Sequence, residues 1–274
     1  MGIKLDGVAL ARKITNELKD RCNILSNNHI YPTLTVVISD PNNMIYANQI
    51  KKRCKEVGIS ADMRVYDGLN IKKCIELIQI KNPIVFVKPL IGVEEQIVSE
   101  CINPALDVDG WSIRNIGRLN ANTNPCHIPC TAKGVLKLLL EYSVKISGKK
   151  ALVIGRSNNV GRPIANLLEQ RGVTVTVAHS DTDSGLLYQE IKNADIIVSC
   201  IGKKDFVTLD KLYHWTNAEF DMLSTKIIID VGGGDFDEDF KSRCLLWTPD
   251  KGCIGPMTTV CVCDNVLNYY EKYF

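Results

Sequence analysis

Residues 148–163, GKKALVIGRSNNVGRP, constrain the fold more than any other stretch of this chain. Residues 151–154 (ALVI) are a short apolar run without polar alternation, the pattern of a strand buried on both faces. The run enters the turn Gly155-Arg156-Ser157-Asn158-Asn159-Val160-Gly161, and residues 164–170 then follow a helical period. A strand, a glycine turn and a helix start are the context in which backbone N–H groups and a helix dipole hold a phosphate. Pro163 suits the first helical turn, where a missing N–H costs nothing. The spacing departs from G-x-G-x-x-G because Ser157 holds the second glycine position, and an ordinary α/β turn shares much of the pattern.

The next strand, 173–178, narrows the reading. It ends in His179-Ser180-Asp181, where the second strand of a dinucleotide fold lies beside the adenosine ribose. Arg156 and Ser180 suit the 2′-phosphate of NADP, whereas Asp181 suits the free hydroxyl of NAD. The plainer alternative is a solvated Arg156–Asp181 surface pair.

On both sides of this stretch strands alternate with helices. Helical spacing covers 8–25, Met44–Val57, Ile71–Ile78, 93–101, 131–142 and 258–273. Strand patterns cover 33–39, 61–66, Ile84–Val87, 195–200 and 226–231. Regular alternation implies parallel sheets with right-handed crossovers, an α/β fold. Asp40-Pro41-Asn42-Asn43 reads as a turn offering a helix cap, and Gly58 as a helix stop. Residues 107–131 are polar and weakly periodic, as expected of a linker and active-site loop region between two α/β units. Glycines follow two buried strands, Gly202 after Cys200-Ile201 and Gly232-Gly233-Gly234 after Val231, where backbone can approach a ligand or simply turn tightly.

Composition excludes several classes. A net charge of +2 without a long basic run argues against nucleic acid or a membrane surface as partner. Residues 1–13 have no signal-peptide apolar core and no run is long enough to span a bilayer, so the chain is expected in the cytoplasm with its 11 cysteines reduced. Cys126, His127 and Cys130, like Cys261 and Cys263, lack paired C-x-x-C spacing, so no metal is expected.

Several motifs then converge. Asp107-Val108-Asp109-Gly110 precedes Asn115 and Gly117-Arg118-Leu119; Pro129-Cys130-Thr131 leads to Gly134; the 155–163 turn and His179-Ser180 follow; then come Asp230-Val231-Gly232 and Thr248-Pro249 running to Gly255-Pro256-Met257-Thr258. In this order the chain resembles the bifunctional methylenetetrahydrofolate dehydrogenase/methenyltetrahydrofolate cyclohydrolase family over nearly its whole length. The resemblance implies an N-terminal α/β folate and catalytic domain (1–120), a Rossmann-like NADP domain (121–257), and a last helix (258–274) returning to the first domain. It also implies a folate cleft between the domains and a homodimer. By it Asp109 is the pterin-binding aspartate, Tyr46 lines the folate site, and Gly255, Pro256 and Thr258 contact the substrate. The cofactor residues are Gly155, Arg156, Ser157, Val160, Gly161, Ser180, Cys200, Ile201 and Gly202.

The departures bear on chemistry. The family pattern Tyr-x-x-x-Lys puts both side chains on one helical face, but here Ile50 stands four residues after Tyr46. Lys51 points about 100° further round the helix. Tyr46, Ile50 and Cys54 also form a stripe that reads equally as a packing face. Val87 replaces the glutamine of Gln-Leu-Pro-Leu-Pro, Asp181 the lysine of His-Ser-Lys-Thr, and Asp250-Lys251-Gly252-Cys253 the Val-Pro-Gly-Gly after Thr248-Pro249. Hydride transfer needs two rings held face to face, so it survives these changes. Hydrolysis of the methenyl product needs a proton acceptor, and Ile50 is none. Lys88, just past a strand end, is the expected substitute, with Lys51 second. The catalytic candidates are therefore Tyr46, Lys88 and Asp109; a dehydrogenase without the hydrolase step, or a lapsed folate- or nucleotide-binding protein, are the alternatives.

Overall fold

In a computed structural model, which describes residues 2–216 and 220–274, the strands in chain order are β1 (Ile3–Lys4), β2 (Thr33–Ile38), β3 (Ser60–Val65), β4 (Ile84–Val87), β5 (Lys150–Ile154), β6 (Thr174–Ala178), β7 (Ile196–Ser199), β8 (Ile227–Asp230) and β9 (Leu246–Trp247). Every ladder among them is parallel. The chain divides into two compact units, one formed by the residues up to Leu10 with Thr131–Met257, the other by Ala11–Cys130 with Thr258–Phe274.

The larger sheet has the order β1-β9-β8-β7-β5-β6 and lies in the first unit. Its central strands are apolar on both faces because helices cover both: Leu152, Ile154, Ile197 and Ile228 join Leu187, Ile191, Leu212 and Phe240 in one core cluster. The parallel sheet expected from the alternation is present, with β5 and β6 paired in the register Ile154↔Ala178. The first residues belong to this unit because Ile3 N and Leu5 N donate to Leu245 O and Trp247 O, each at 2.8 Å, adding β1 to the sheet edge. Two residues are too short a run for strand periodicity to reveal.

The smaller sheet, order β3-β2-β4, lies in the other unit. All four residues of β4 are buried, and Phe86 stacks edge-on against Trp111 with centroids 6.5 Å apart. Arg21 of the helix Gly7–Asn27 donates to Asp264 at 2.7 Å and Glu271 at 2.6 Å, tying the last helix, Ile254–Tyr273, to this unit.

Local chemistry explains the helix limits. Asn70 accepts from Lys73 N at 2.9 Å to start Ile71–Ile78, and Gly58 (φ 103°) ends Met44–Val57 in the left-handed conformation. Asp40 caps a short 3₁₀ turn, Pro41–Asn43, that feeds the helix from Met44. The stretch 107–131, expected to be irregular, contains a helix at Ile113–Asn120 capped by Ser112. It escapes periodicity because its inward positions include a buried asparagine, Asn115. The Asp-capped helices Ser184–Asn193 and Glu238–Arg243 also lay outside the periodic segments.

One buried cation is unusual. Lys226 donates from Nζ to Lys192 O at 2.8 Å and Ala194 O at 2.5 Å, and burial pulls its ammonium down to about 8. The ordinary value is 10.5, so between about 8 and 10.5 the unfolded chain holds the extra proton and native stability rises with pH. Urea midpoints of the protein and of Lys226→Met, measured at pH 7.5 and 10, are expected to diverge in favour of the unsubstituted chain as pH rises.

Candidate active site

In the unit of Ala11–Cys130 the candidates Tyr46, Lys88 and Asp109 sit on a helix, a strand end and a turn. The Asp107–Gly110 turn is held from inside. Asp107, fully buried, accepts from Gly110 N (3.1 Å), Ser112 N (2.7 Å) and Asn115 Nδ2 (3.0 Å). Burial pushes its carboxyl up while these donors pull it down, the burial being the larger influence. Asn115 Oδ1 accepts from Cys126 N at 3.0 Å, and Asn265 Nδ2 donates to Val108 O at 2.9 Å and Ile128 O at 3.1 Å. Gly110 (φ 75°) is required, because a Cβ there would lie 2.7 Å from Ile128 C. The turn therefore presents Asp109 rigidly. Neither Asp107, Asn115 nor Asn265 was assigned a role from sequence.

Lys88 follows β4 and reaches this turn. Its Nζ lies 3.5 Å from Asp109 Oδ2 and 4.5 Å from the centre of the Trp111 ring, with the two charged side chains 16% and 18% exposed. Tyr46 is partly buried, and burial, with the Asp109 charge second, raises its phenol well above the usual range. Ile50 is fully buried with Ala47, Cys54 and Val57 on the inward face of Met44–Val57, so the stripe is a packing face. Lys51 is exposed. Val87, at the glutamine position, is likewise core.

In the other unit the turn after β5 packs as the motif demands. A Cβ on Gly161 would fall 2.1 Å from Gly155 O, so strand end and helix start approach more closely than any side chain permits. Ser157 Oγ accepts from Val160 N at 3.2 Å and Gly161 N at 3.3 Å, closing the turn with the hydroxyl that replaces the second glycine. The helix starts at Gly161, three residues earlier than its apolar period suggests. Arg156 Nη2 donates to Asp181 Oδ2 at 2.8 Å, and Ser180 Oγ lies 3.4 Å from Asp181 Oδ1.

The loop after β7 is held by a residue the sequence reading passed over. Asp235, buried, accepts from Ser199 Oγ (2.6 Å), Ile201 N (3.0 Å) and Lys203 N (2.7 Å), so it shapes the Cys200-Ile201-Gly202 loop. Asp230 in turn accepts from Gly233 N (2.7 Å), Gly234 N (2.8 Å) and Asp235 N (2.9 Å). A Cβ on Gly232 would strike Gly202 N at 2.4 Å, so the two loops interlock. Cys200 is a neutral thiol, pushed up to about 12 by burial and then by the Asp235 and Asp230 charges. Asp250, where the family has valine, pairs with the buried ammonium of Lys241. Gly255 and Pro256 open the helix Ile254–Tyr273, and Thr258, buried one turn in, belongs to the other unit. Among the described residues no group of three or more His, Cys, Asp or Glu side chains is placed to hold a metal ion. A glycine-only contact at the helix start and a shaped backbone loop after β7 fit a dinucleotide, and Arg156 and Ser180 both lie beside Asp181 where the second strand ends.

The fold and these two clusters together define a dinucleotide-dependent α/β enzyme architecture. Residues 129–274 match the family model described as tetrahydrofolate dehydrogenase/cyclohydrolase, NAD(P)-binding domain. The bifunctional protein FolD of Campylobacter hominis is 35% identical over 283 residues, covering 96% of this chain and 95% of that protein. The crystal structure of the bifunctional methylenetetrahydrofolate dehydrogenase/cyclohydrolase FolD from Campylobacter jejuni superposes with a TM-score of 0.90 at 29% identity, covering 100% of both chains. That of the Trypanosoma brucei enzyme, solved with NADP and an inhibitor, gives 0.87 at 26% identity, covering 99% and 98%. The chain belongs to the tetrahydrofolate dehydrogenase/cyclohydrolase family.

Two substitutions test how these loops are held. Asp107→Ala leaves the buried Ser112 N–H without an acceptor, whereas Gly110 N–H keeps its 3.0 Å bond to the carbonyl of residue 107; urea unfolding is expected to show a loss of about 1–3 kcal/mol. Asp235→Asn places a donor against backbone donors. Amide hydrogen exchange at Ile201 and Lys203 is expected to accelerate at least tenfold while β2–β4 amides are unaffected.

Proposed function

We propose that this protein oxidises 5,10-methylenetetrahydrofolate to 5,10-methenyltetrahydrofolate with NADP, and hydrolyses that product to 10-formyltetrahydrofolate with Lys88 serving where the family has a helical lysine. The observation that carries the reading is the placement of Lys88 Nζ 3.5 Å from Asp109 Oδ2 and over Trp111, while Ile50 is sealed into the core. The relatives' names supply the reaction, and the two loop clusters supply the means.

The nicotinamide cofactor, when bound, provides the hydride acceptor. The 155–161 turn, whose close strand–helix approach only glycine at 161 permits, would hold its phosphates, and the Cys200-Ile201-Gly202 loop, shaped by Asp235, would orient it. Asp109 accepts hydrogen bonds from the pterin, and Tyr46 lines the same face. Hydride departure moves no proton, so these residues need only position the reacting atoms within about 3–3.5 Å. In hydrolysis, water attacks the methenyl carbon and a group must take its proton. Only the free-amine form of Lys88 can take it, and the Asp109 carboxylate, 3.5 Å away, then holds the ammonium formed. Gly255, Pro256 and Thr258 are further substrate contacts that the family resemblance implies.

A dehydrogenase without the hydrolase step is the second reading, favoured by the burial of Ile50. The proposal includes a homodimer, implied by the family resemblance, and a cytoplasmic location, consistent with the absence of a disulfide among the described residues. No helix of the described residues is long and apolar enough to cross a membrane.

Spectrophotometric assay of both steps in Lys88→Ala decides between the readings. Hydrolysis is expected to fall by about 10²–10⁴-fold, with dehydrogenation reduced far less. Equal hydrolysis rates in variant and unsubstituted protein would remove Lys88 from the mechanism, and absence of hydrolysis in both would favour the second reading.

A further inference from the structure

One charge that the mechanism does not use, on Asp181, sits where the two pyridine nucleotides differ. Asp181 Oδ2 receives the Arg156 guanidinium at 2.8 Å, and its other oxygen, Oδ1, lies 3.4 Å from the Ser180 hydroxyl. The same carboxylate lies 3.6 Å from His179 Nδ1, and the Asp181 amide donates to that nitrogen at 3.2 Å. Arg156 and Ser180, the two side chains suited to a 2′-phosphate, are thus both already turned toward one internal anion. The geometry is local and well supported from below. His179 N donates to Thr182 Oγ1 at 2.9 Å and Thr182 N to His179 O at 2.9 Å, so residues 179–182 close as a turn with Asp181 at its tip.

We propose that Asp181 sets the cofactor preference, competing with a 2′-phosphate for Arg156 and Ser180 so that the chain takes NAD alongside NADP. The inference rests on the dinucleotide reading given above. With NADP, the phosphate must displace the carboxylate from Arg156 and then tolerate it as a neighbour. The displaced pair is cheap to break: its side chains are 46% and 72% exposed, in the range where ion pairs are worth little. The like-charge contact costs more. At about 4 Å in a water-like dielectric one unit charge against another costs about fivefold in affinity, and a phosphate monoester carrying nearly two charges costs about thirtyfold. With NAD the sign reverses, because the ribose hydroxyl donates to the carboxylate and Arg156 keeps its partner. A chain with a neutral residue at 181 escapes the first effect and loses the second.

Equilibrium binding of NADP⁺ and of NAD⁺ to the full chain, by calorimetry or fluorescence, reads this directly in the unsubstituted protein, Asp181→Asn and Asp181→Ser. Both substitutions lie at an exposed turn, and two variants guard against one that misfolds. The ratio of NADP⁺ to NAD⁺ affinity is expected to rise about tenfold or more in each variant. Arg156→Ala added to Asp181→Asn is expected to abolish that gain. The kcat/KM ratio for the two nucleotides with methylenetetrahydrofolate should follow, through KM rather than kcat. A ratio unchanged within twofold in both variants would overturn the role of Asp181 while leaving the folate reaction standing. Failure of every protein to bind either nucleotide would overturn the dinucleotide reading and this inference with it.

Discussion

Three carboxylates buried at or near the ends of parallel strands hold the loops on which both candidate clusters depend. A parallel strand ends in a turn whose backbone N–H groups point into the protein and have no ladder partner. Burying a carboxylate there is costly, as the raised carboxyls of Asp107 and Asp230 record, with burial the leading cause in both. Charge-assisted bonds offset that cost, since each of Asp107, Asp230 and Asp235 accepts from three donors. The result is backbone that keeps its shape without regular secondary structure, which is what a site assembled from loops requires.

The two reactions place unequal demands on that backbone. Positioning for hydride transfer is a property of loops and glycines, and it tolerates the replacement of individual polar side chains. Proton acceptance is a property of one basic atom in one place. Helix geometry is unforgiving in this respect: moving a lysine from the fourth to the fifth position after Tyr46 rotates it by about 100°, and Lys51 is accordingly exposed. A lysine at the end of β4 reaches the Asp109 turn from a different element, so the amine can be supplied without restoring the helical pattern.

Much of the architecture was legible in the chain. Runs such as Ile84–Val87 and Ile196–Ser199 are apolar throughout, which only a sheet covered on both faces explains, and the glycine turn at 155–161 announced its own geometry. Elements went unrecognised where burial is polar or short. Ile113–Asn120 buries Asn115 and Leu119 rather than an apolar stripe, and β1 and β9 are two residues each. The Tyr46–Ile50–Cys54 stripe admitted a packing face and a ligand face equally, because a spacing of four says which residues align and not what they meet.

The sequence by itself determined the α/β class, the parallel order of strand and helix, and the turn chemistry at 155–163, because period, glycine and proline act locally. Only the tertiary structure decided that Ile50 is core, that Lys88 meets Asp109, that Asp181 occupies Arg156, and that Asp235 grips a loop 32 residues earlier in the chain. Each of those is a meeting between residues distant in sequence or on different elements, and a carboxylate reads the same in the chain whether it faces water, an arginine or a ring of buried N–H groups.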